Sequence, residues 1–473
     1  MLLSLILLTL SAAPEVGATH ASPLHAAPPE AGAYGHTPLQ MTLAEALDYA
    51  RHHQPALQAA LARVEAAQRS TELPRALWYP RIAATAQILY GSANNSTASY
   101  FGAAGVDLPR IGATQAGSAN WRPHVSTLVA LGVRQSVYEF GRISALSAVA
   151  DEQQKAELGR ADETRLELLY VVQESFFAVH AARELLASAE AALDRARVLR
   201  ESAAAGVDSG LRSPIELTRA EAALARFSVG AVRARAGLTV AQGMFAAAVG
   251  VPEMLLDAAG EVPPTAPVPP LAEALQRAVD RSPLVVTARA RLTEQRAQSR
   301  AIFADLLPDI SASATLSARE GGAPPSSGST GSGGSNRNNG LVPKTPNWDV
   351  GIVISIPLYD RSTYVRAQVS AALERALDAE LADVEERLRA ALQQAYVDYD
   401  TAMQGLPALE QAVSAGRANC EQAKARFDAA MGTSVELADA QDLLSSAEVA
   451  LALGRFDCVR ARAFLGRLIA EEP

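Results

Sequence analysis

The stretch LAEAL at residues 43–47 occurs again, unchanged, at residues 271–275. Each copy is followed by a proline at the same distance, Pro55 in the first and Pro283 in the second. Later landmarks keep their order but are spaced by 221 and then 220 residues, as expected when a loop differs in length between two copies. An internal repeat of this kind decides the architecture before any other feature. The two predicted repeats are residues 39–262 and 270–470.

The N-terminus has the pattern of an export signal. Leu2 to Leu10 is almost entirely apolar but too short to span a bilayer, which needs about 20 residues. Small residues follow, so we predict a signal peptide at 1–18 and a disordered lead-in at 19–38. No Lys or Arg precedes the apolar run, which leaves a mis-assigned start as the alternative.

Composition excludes one class of partner and favours one kind of secondary structure. The formal charge of -9 comes from scattered signs with no basic stripe, so nucleic acid is not an expected partner. Aromatic residues make up only 5% of the chain and alanine is abundant, which favours long, closely packed helices.

Four segments alternate apolar with small or polar residues, the period of a half-exposed strand. They form two pairs, each with a long polar loop between its members, at 91–124 and 319–347. The predicted strands are 82–90, 127–137, 310–318 and 348–358.

Two helical hairpins follow these strand pairs, at 142–249 and 363–470, with turns near Gly210 and Gly432. We expect a break in the long helix of the second hairpin at Gly405-Leu406-Pro407, because proline disrupts a helix interior. Hairpins of this length exceed a globular domain, so their helices are expected to pack sideways as coiled coils.

The strands suit a membrane barrel wall with lipid on one side and water on the other. Nothing β is predicted elsewhere in the chain, and an isolated hairpin is barely stable in water. Four strands cannot close a barrel, but a trimer supplies twelve. The same symmetry places six helical hairpins side by side, enough to close a tube.

At this point the chain resembles the TolC family of outer-membrane efflux and secretion ducts. The match covers both repeats. It rests on Pro55 and Pro283, on the tyrosines that end the strand pairs, and on the turn motifs GLRSPIEL (210–217) and GTSVEL (432–437). The resemblance implies a mainly α fold with a β-barrel, in which a homotrimer forms a twelve-strand barrel in the bacterial outer membrane and an α-helical tunnel in the periplasm. It also implies docking to a periplasmic adaptor (membrane fusion) protein and to an inner-membrane RND or ABC pump.

Family members carry a ring of acidic side chains just past the second turn, and these positions match Glu436 and Asp439. Three copies of each around a narrow axis would attract cations. The alternative is that both are ordinary acids at a helix start. The family tyrosine and arginine that latch the mouth correspond to Phe427 and Gly432, so those donors are missing. Glu216 could still accept a hydrogen bond, but closure must rest on other contacts.

The exposed residues of the two turns are the predicted contact with the adaptor. Simple helix-hairpin turns explain their Gly and Ser content equally well. These residues are Leu211, Arg212, Ser213, Met431, Gly432 and Thr433.

We predict neither an enzyme nor a metal or cofactor site. The seven histidines lack ligand spacing, and no nucleophile elbow, HExxH or Walker motif occurs. The predicted function is a passive exit duct whose energy comes from an inner-membrane partner. The alternative is a soluble periplasmic coiled-coil protein with a structural or adaptor role. Whether the cargo is a drug, a metal ion or a polypeptide stays open.

Overall fold

A computed structural model describes residues 38–92, 123–260, 267–321, 342–429 and 431–472, together with Val106 and Trp121. The predicted signal peptide 1–18 lies outside the described residues, as does the lead-in 19–38 except for its last residue. In chain order the elements are β1 (Leu39–Met41), α1 (Leu43–His53), α2 (Pro55–Ser70), α3 (Glu72–Ala76), β2 (Arg81–Gly91), β3 (His124–Tyr138), α4 (Arg142–Asp208), α5 (Pro214–Val249), β4 (Leu256–Ala258), α6 (Leu271–Arg281), α7 (Pro283–Ala304), β5 (Asp309–Gly321), β6 (Thr345–Ser355), α8 (Arg361–Asp428) and α9 (Ser434–Leu468).

Two very long helices, α4 and α8, run the length of the helical region. Each contains almost 70 residues and spans about 100 Å at 1.5 Å per residue. Helices α9 and α7 lie one after the other between α4 and α8, while α5 and α2 cover the other side of α4. The helical layer therefore alternates two kinds of column. The helices α4 and α8 are continuous, whereas α9 with α7, and α5 with α2, each make up a column from two separate helices.

The ends of these pieces are set by prolines and polar caps. Pro55 and Pro283 occupy the first turns of α2 and α7, where the missing N–H leaves no helix hydrogen bond unmade. Where α5 ends beside the start of α2, the Gln54 side chain donates to the carbonyl of Ala248 at 2.8 Å. The amide thereby satisfies a carbonyl that the helix end leaves free.

Helix α8 runs unbroken through Pro407, which corrects the break expected at 405–407. A proline in a helix interior costs about 3 kcal/mol, so packing must offset it. Leu409, two residues further on, packs directly against Gly454 of α9. Tertiary packing with the returning helix therefore keeps the chain helical here.

The four longer strands form one antiparallel sheet in the order β2-β3-β5-β6. Strand β6 ends at Ser355, three residues before the predicted end. Cross-strand pairs such as Leu131 with Leu316, and Leu316 with Trp348, place most of the large exposed apolar residues on one face. These residues are Ile82, Ile88, Tyr90, Val129, Leu131, Leu316, Trp348, Val350, Ile352 and Ile354. The other face carries mostly small and polar residues, as in the row Gly132, Thr315 and Asp349.

A second, parallel sheet joins β1 to β4, which corrects the expectation of no strands outside the two hairpins. Leu256 of β4 is fully buried in a core with Phe176 of α4 and Phe245 of α5. These strands have only three residues each, too short for an alternating pattern to appear. The pair fastens the start of the first repeat to its end.

Among the described helices, none is both long and apolar enough to cross a membrane.

Candidate functional site

The two hairpin tips share one backbone design. In the first, the N–H groups of Leu211 and Arg212 both donate to the carbonyl of Gly206, at 2.9 and 3.0 Å. In the second, the N–H groups of Met431 and Gly432 donate to the carbonyl of Arg426 at the same distances. Such bonds close a helix C-terminus by satisfying carbonyls that have no partner within the helix.

The side chains at equivalent tip positions are exchanged. The first tip has Gly206 and Arg212, whereas the second has Arg426 and Gly432, each 220 residues further along the chain. The Arg212 side chain lies directly over Gly206, since a Cβ at 206 would be only 2.5 Å from Arg212 Cδ. Glycine at 206 therefore makes the room that Arg212 needs to fold inward.

Arg212 connects the two tips. One guanidinium nitrogen donates to Glu216 Oε2 at 2.6 Å and another donates to the main-chain carbonyl of Phe427 at 2.6 Å. The guanidinium carbon also lies 3.6 Å from the centre of the Phe427 ring. Both contacts are favourable, because a charged donor strengthens a hydrogen bond and a cation is attracted to the face of an aromatic ring.

Phe427 is a core residue of the tip, only 2% exposed. It packs with residues from the other three helices that meet here, namely Leu199, Ala203, Ala220 and Leu437. Glu216 accepts a hydrogen bond from Arg212 of its own turn, while the positions of the family's donors are taken by Phe427 and Gly432. The i,i+4 spacing of Arg212 and Glu216 is the signal that could have revealed this donor.

The two predicted gate acids both lie on the first turns of α9 and both are exposed. Glu436 Oε2 lies 3.8 Å from Arg426 Nη2. An exposed ion pair of this kind contributes little to stability. Its backbone N–H donates to the Thr433 hydroxyl, which caps α9. Asp439 is not brought into contact with Glu216 or Phe427, and a gating role for both acids stays a prediction.

Five of the six residues predicted to contact the adaptor are exposed or half-buried. Leu211 and Met431 occupy equivalent positions and are 79% and 73% exposed. Ser213 and Thr433 are also exposed, and Gly432 is half-buried. Arg212 is the exception, because its side chain is turned inward and only 11% exposed.

The described residues contain no group of three or more His, Cys, Asp or Glu side chains arranged to hold a metal ion. Cys420 and Cys458 are both free and buried.

The family described as outer membrane efflux protein has a model that matches residues 46–251 and 274–471. Among solved structures, the outer-membrane channel OprN superimposes with a TM-score of 0.74 at 20% identity, covering 91% of each chain. VceC of Vibrio cholerae gives 0.70 at 16% identity, covering 91% of this chain and 96% of that one. The open-state MtrE channel of Neisseria gonorrhoeae gives 0.68 at 17% identity, with 91% and 89% covered. No curated protein matches in sequence.

Proposed function

The chain belongs to the outer membrane efflux protein family, and from this premise we propose that it is the passive exit duct of a tripartite efflux or type I secretion system. As a member it is a channel of the outer membrane, with its helical tunnel in the periplasm, and not an enzyme. The finer proposal is that cargo passes from an inner-membrane pump, through this duct, to the exterior. A periplasmic adaptor and an RND or ABC pump are the partners it requires.

The observation that carries the proposal is the two-sided sheet. One face presents large exposed apolar side chains such as Trp348, Val350 and Ile352, which suit contact with lipid. The opposite face is small and polar, which suits a water-filled lumen. Among the described strands, β2 pairs only with β3 and β6 only with β5, so two edges are left open. Three copies joined edge to edge would form a closed barrel of twelve strands.

The helices support the same assembly. Within one chain the long helices pack side by side, and α5 and α8 lie at the two outer sides of this layer. Both helices carry exposed apolar residues. On α5 these include Val229 and Val232, and on α8 they include Val369 and Leu373. Helix α5 of one copy would cover α8 of the next, so that three copies complete the tunnel wall.

The tips would form its periplasmic mouth. Glu436 and Asp439 are exposed, and three copies of each around the axis would attract cations. Leu211 and Met431 would supply the apolar contacts to the adaptor.

Single-channel recording in a planar bilayer tests the duct and its acidic mouth together. Detergent-purified wild type should give cation-selective openings, and the Glu436→Ala/Asp439→Ala variant should lose much of that selectivity. The matched control, Asp48→Ala/Glu253→Ala, removes the same charge about 50 Å from the tips, given 1.5 Å per residue along α5. Its selectivity should stay at the wild-type value.

Other outcomes are equally informative. Openings that keep their selectivity in the tip variant would retain the duct and remove the acidic mouth. Protein that stays soluble without detergent and never conducts would favour the periplasmic coiled-coil alternative. Native mass spectrometry in detergent should find a trimer.

A further inference from the structure

We propose that Arg81 and Arg134 form an anion-binding site on the polar face of the sheet, which takes a phosphate or sulfonate group of a passing organic anion. The proposal rests on the proposed duct, because the duct places this face in the lumen of the barrel. It adds a chemical class of cargo, which membership of the family does not specify.

The two arginines are direct cross-strand partners. Arg81 is the first residue of β2 and pairs with Arg134 of the antiparallel strand β3. Directly opposite residues in such a pair have Cα atoms about 5 Å apart and point to the same side of the sheet. That side is the polar face, because the next pair along, Ile82 with Val133, lies on the apolar face. Both guanidinium groups are therefore within reach of one anion.

The two positive charges lack carboxylate partners. Among the described residues, neither Arg81 nor Arg134 forms an ion pair. Arg134 donates a long hydrogen bond of 3.4 Å to the Ser311 hydroxyl, and both arginines are exposed. Like charges directly opposite each other destabilise a sheet. A bound anion would replace this repulsion with charge-assisted hydrogen bonds from both side chains.

The carboxylates nearby are either distant or already paired. Asp309 lies about 14 Å along β5 from the row that contains Arg134. Asp349 lies in β6, two strands away from Arg134. Glu139 is buried and pairs with Arg142 at 2.7 Å. The arginine row therefore keeps its positive charge within one subunit.

This row lies where the barrel joins the helical region. Strand β2 begins at Arg81, and β3 ends at Tyr138, shortly before α4 begins. Twelve strands about 4.8 Å apart and tilted by about 40° would make a barrel about 24 Å across. Three copies would place six arginines around it, and cargo leaving the tunnel would pass them on entering the barrel.

The arginine row and the acidic tips act independently of each other. Helix α4 separates them by about 100 Å, given its 67 residues and a rise of 1.5 Å per residue. Charges in salt solution are screened over about 8–10 Å. Selectivity for small cations at the mouth is therefore compatible with an anion site at the base of the barrel.

The ligand that suits this pair is an oxyanion with several acceptor atoms. Each guanidinium presents a planar fork of N–H donors that matches phosphate geometry. A phosphate or sulfonate group has three oxygens at its free end, enough to accept from both forks at once. Lipid headgroups carry the same chemistry, but lipid would contact the opposite, apolar face of the sheet.

Isothermal titration of the detergent-purified protein with pyrophosphate, at fixed ionic strength, tests the site without requiring conductance. Wild type should bind, and Arg81→Gln and Arg134→Gln should each weaken binding about tenfold or more, because each removes a charged donor. Both variants should fold, since each removes one of two repelling charges. Arg319→Gln is the matched control. It removes an arginine of the same face about 20 Å further along β5, and its affinity should equal that of wild type.

Two results of the titration would overturn the site. One is a wild type that does not bind pyrophosphate. The other is an equal loss of affinity in all three variants, which would show attraction to overall charge and not to this pair. Arg134→Lys keeps the charge but loses the fork, so it should bind more weakly than wild type. An unchanged affinity in Arg134→Lys would overturn binding by two forks.

Single-channel recording tests whether the site faces the lumen. Pyrophosphate should reduce the current through wild type and through Arg319→Gln, whereas the Arg81→Gln/Arg134→Gln variant should not respond. Binding in solution without any effect on an open channel would overturn the placement in the lumen. A wild type that never conducts would instead count against the duct, and the titration would still decide whether the two arginines bind an anion.

Discussion

Gly159 of α4 lies so close to Thr287 of α7 that a side chain at position 159 would not fit. A Cβ at 159 would overlap the Thr287 hydroxyl and lie 3.2 Å from the Pro283 carbonyl. The two helices approach this closely because one partner is glycine. The contact holds the second repeat against the first.

Gly159→Ala should therefore lower the free energy of unfolding by about 1–2 kcal/mol, because overpacking outweighs the better helix propensity of alanine. Gly243 is the matched control within α5, since its Cβ would meet only Leu255 Cδ2, at 3.9 Å. Gly243→Ala should raise the free energy of unfolding by about 0.5–1 kcal/mol. Urea titration in detergent measures both. Equal effects in the two variants would contradict the close-approach argument.

A charged side chain should destabilise the protein on one face of β6 and have little effect on the other. Ile352 lies on the apolar face and the adjacent Val353 on the polar face. Ile352→Arg should cost up to about 2–4 kcal/mol of stability in lipid, whereas Val353→Arg should cost close to zero. The measurement is the fraction folded into phosphatidylcholine vesicles, read by protection from protease. A larger loss for Val353→Arg would reverse the assignment of the faces.

The two native thiols should be unreactive. Burial raises the pKa of both Cys420 and Cys458, which lowers the thiolate fraction that attacks electrophiles. Maleimide labelling at pH 7.5 should be at least about tenfold slower than for Leu211→Cys in a background lacking both cysteines. Unfolding in urea should expose both thiols. Rapid labelling of the folded protein would mean that the α8–α9 packing opens readily.

Asp360 caps α8 and should give a pH-dependent stability at low pH. Hydrogen bonds from the Thr363 and Ser362 side chains lower the pKa of Asp360 to about 2. Because the folded pKa lies below the ordinary 3.8, the ionised group stabilises the fold fully above pH 3.8, and the benefit is lost as the pH falls through 2.

Wild type should consequently melt at a higher temperature than Asp360→Asn above about pH 4, and the difference should shrink towards pH 2. Asparagine retains an acceptor oxygen for the cap, so the variant isolates the charge. Thermal unfolding in detergent between pH 2 and 6 provides the measurement. A difference independent of pH would show that ionisation of Asp360 plays no part.

Much of the fold could be predicted from the duplicated pattern. The resemblance to the TolC family and the mainly helical fold with a small sheet are both confirmed. A period of two marks strands and a proline-free stretch marks a long helix, and both signals are local. Pro407 was misjudged because the packing that offsets it comes from α9, about 50 residues away in sequence. Strands β1 and β4 were missed because they pair over more than 200 residues.

The tip was less predictable. Its turns and acids could be located from motif positions alone, but the direction of the Arg212 side chain could not. That direction depends on the absence of a side chain at Gly206 and on an acceptor at Phe427 in the other repeat. Neither condition is visible from a turn motif, which describes backbone geometry and not what surrounds it.

The exchange of arginine and glycine between the two tips shows what duplication of the hairpin makes possible, apart from a longer chain. Two identical hairpins meeting side by side would have to present the same residue at both turns, so that a cation would face a cation. Once the copies lie in one gene they can diverge, and a donor on one can face an acceptor on the other. Divergence of the two copies thus replaces repulsion between two like charges with an attractive contact between a donor and an acceptor.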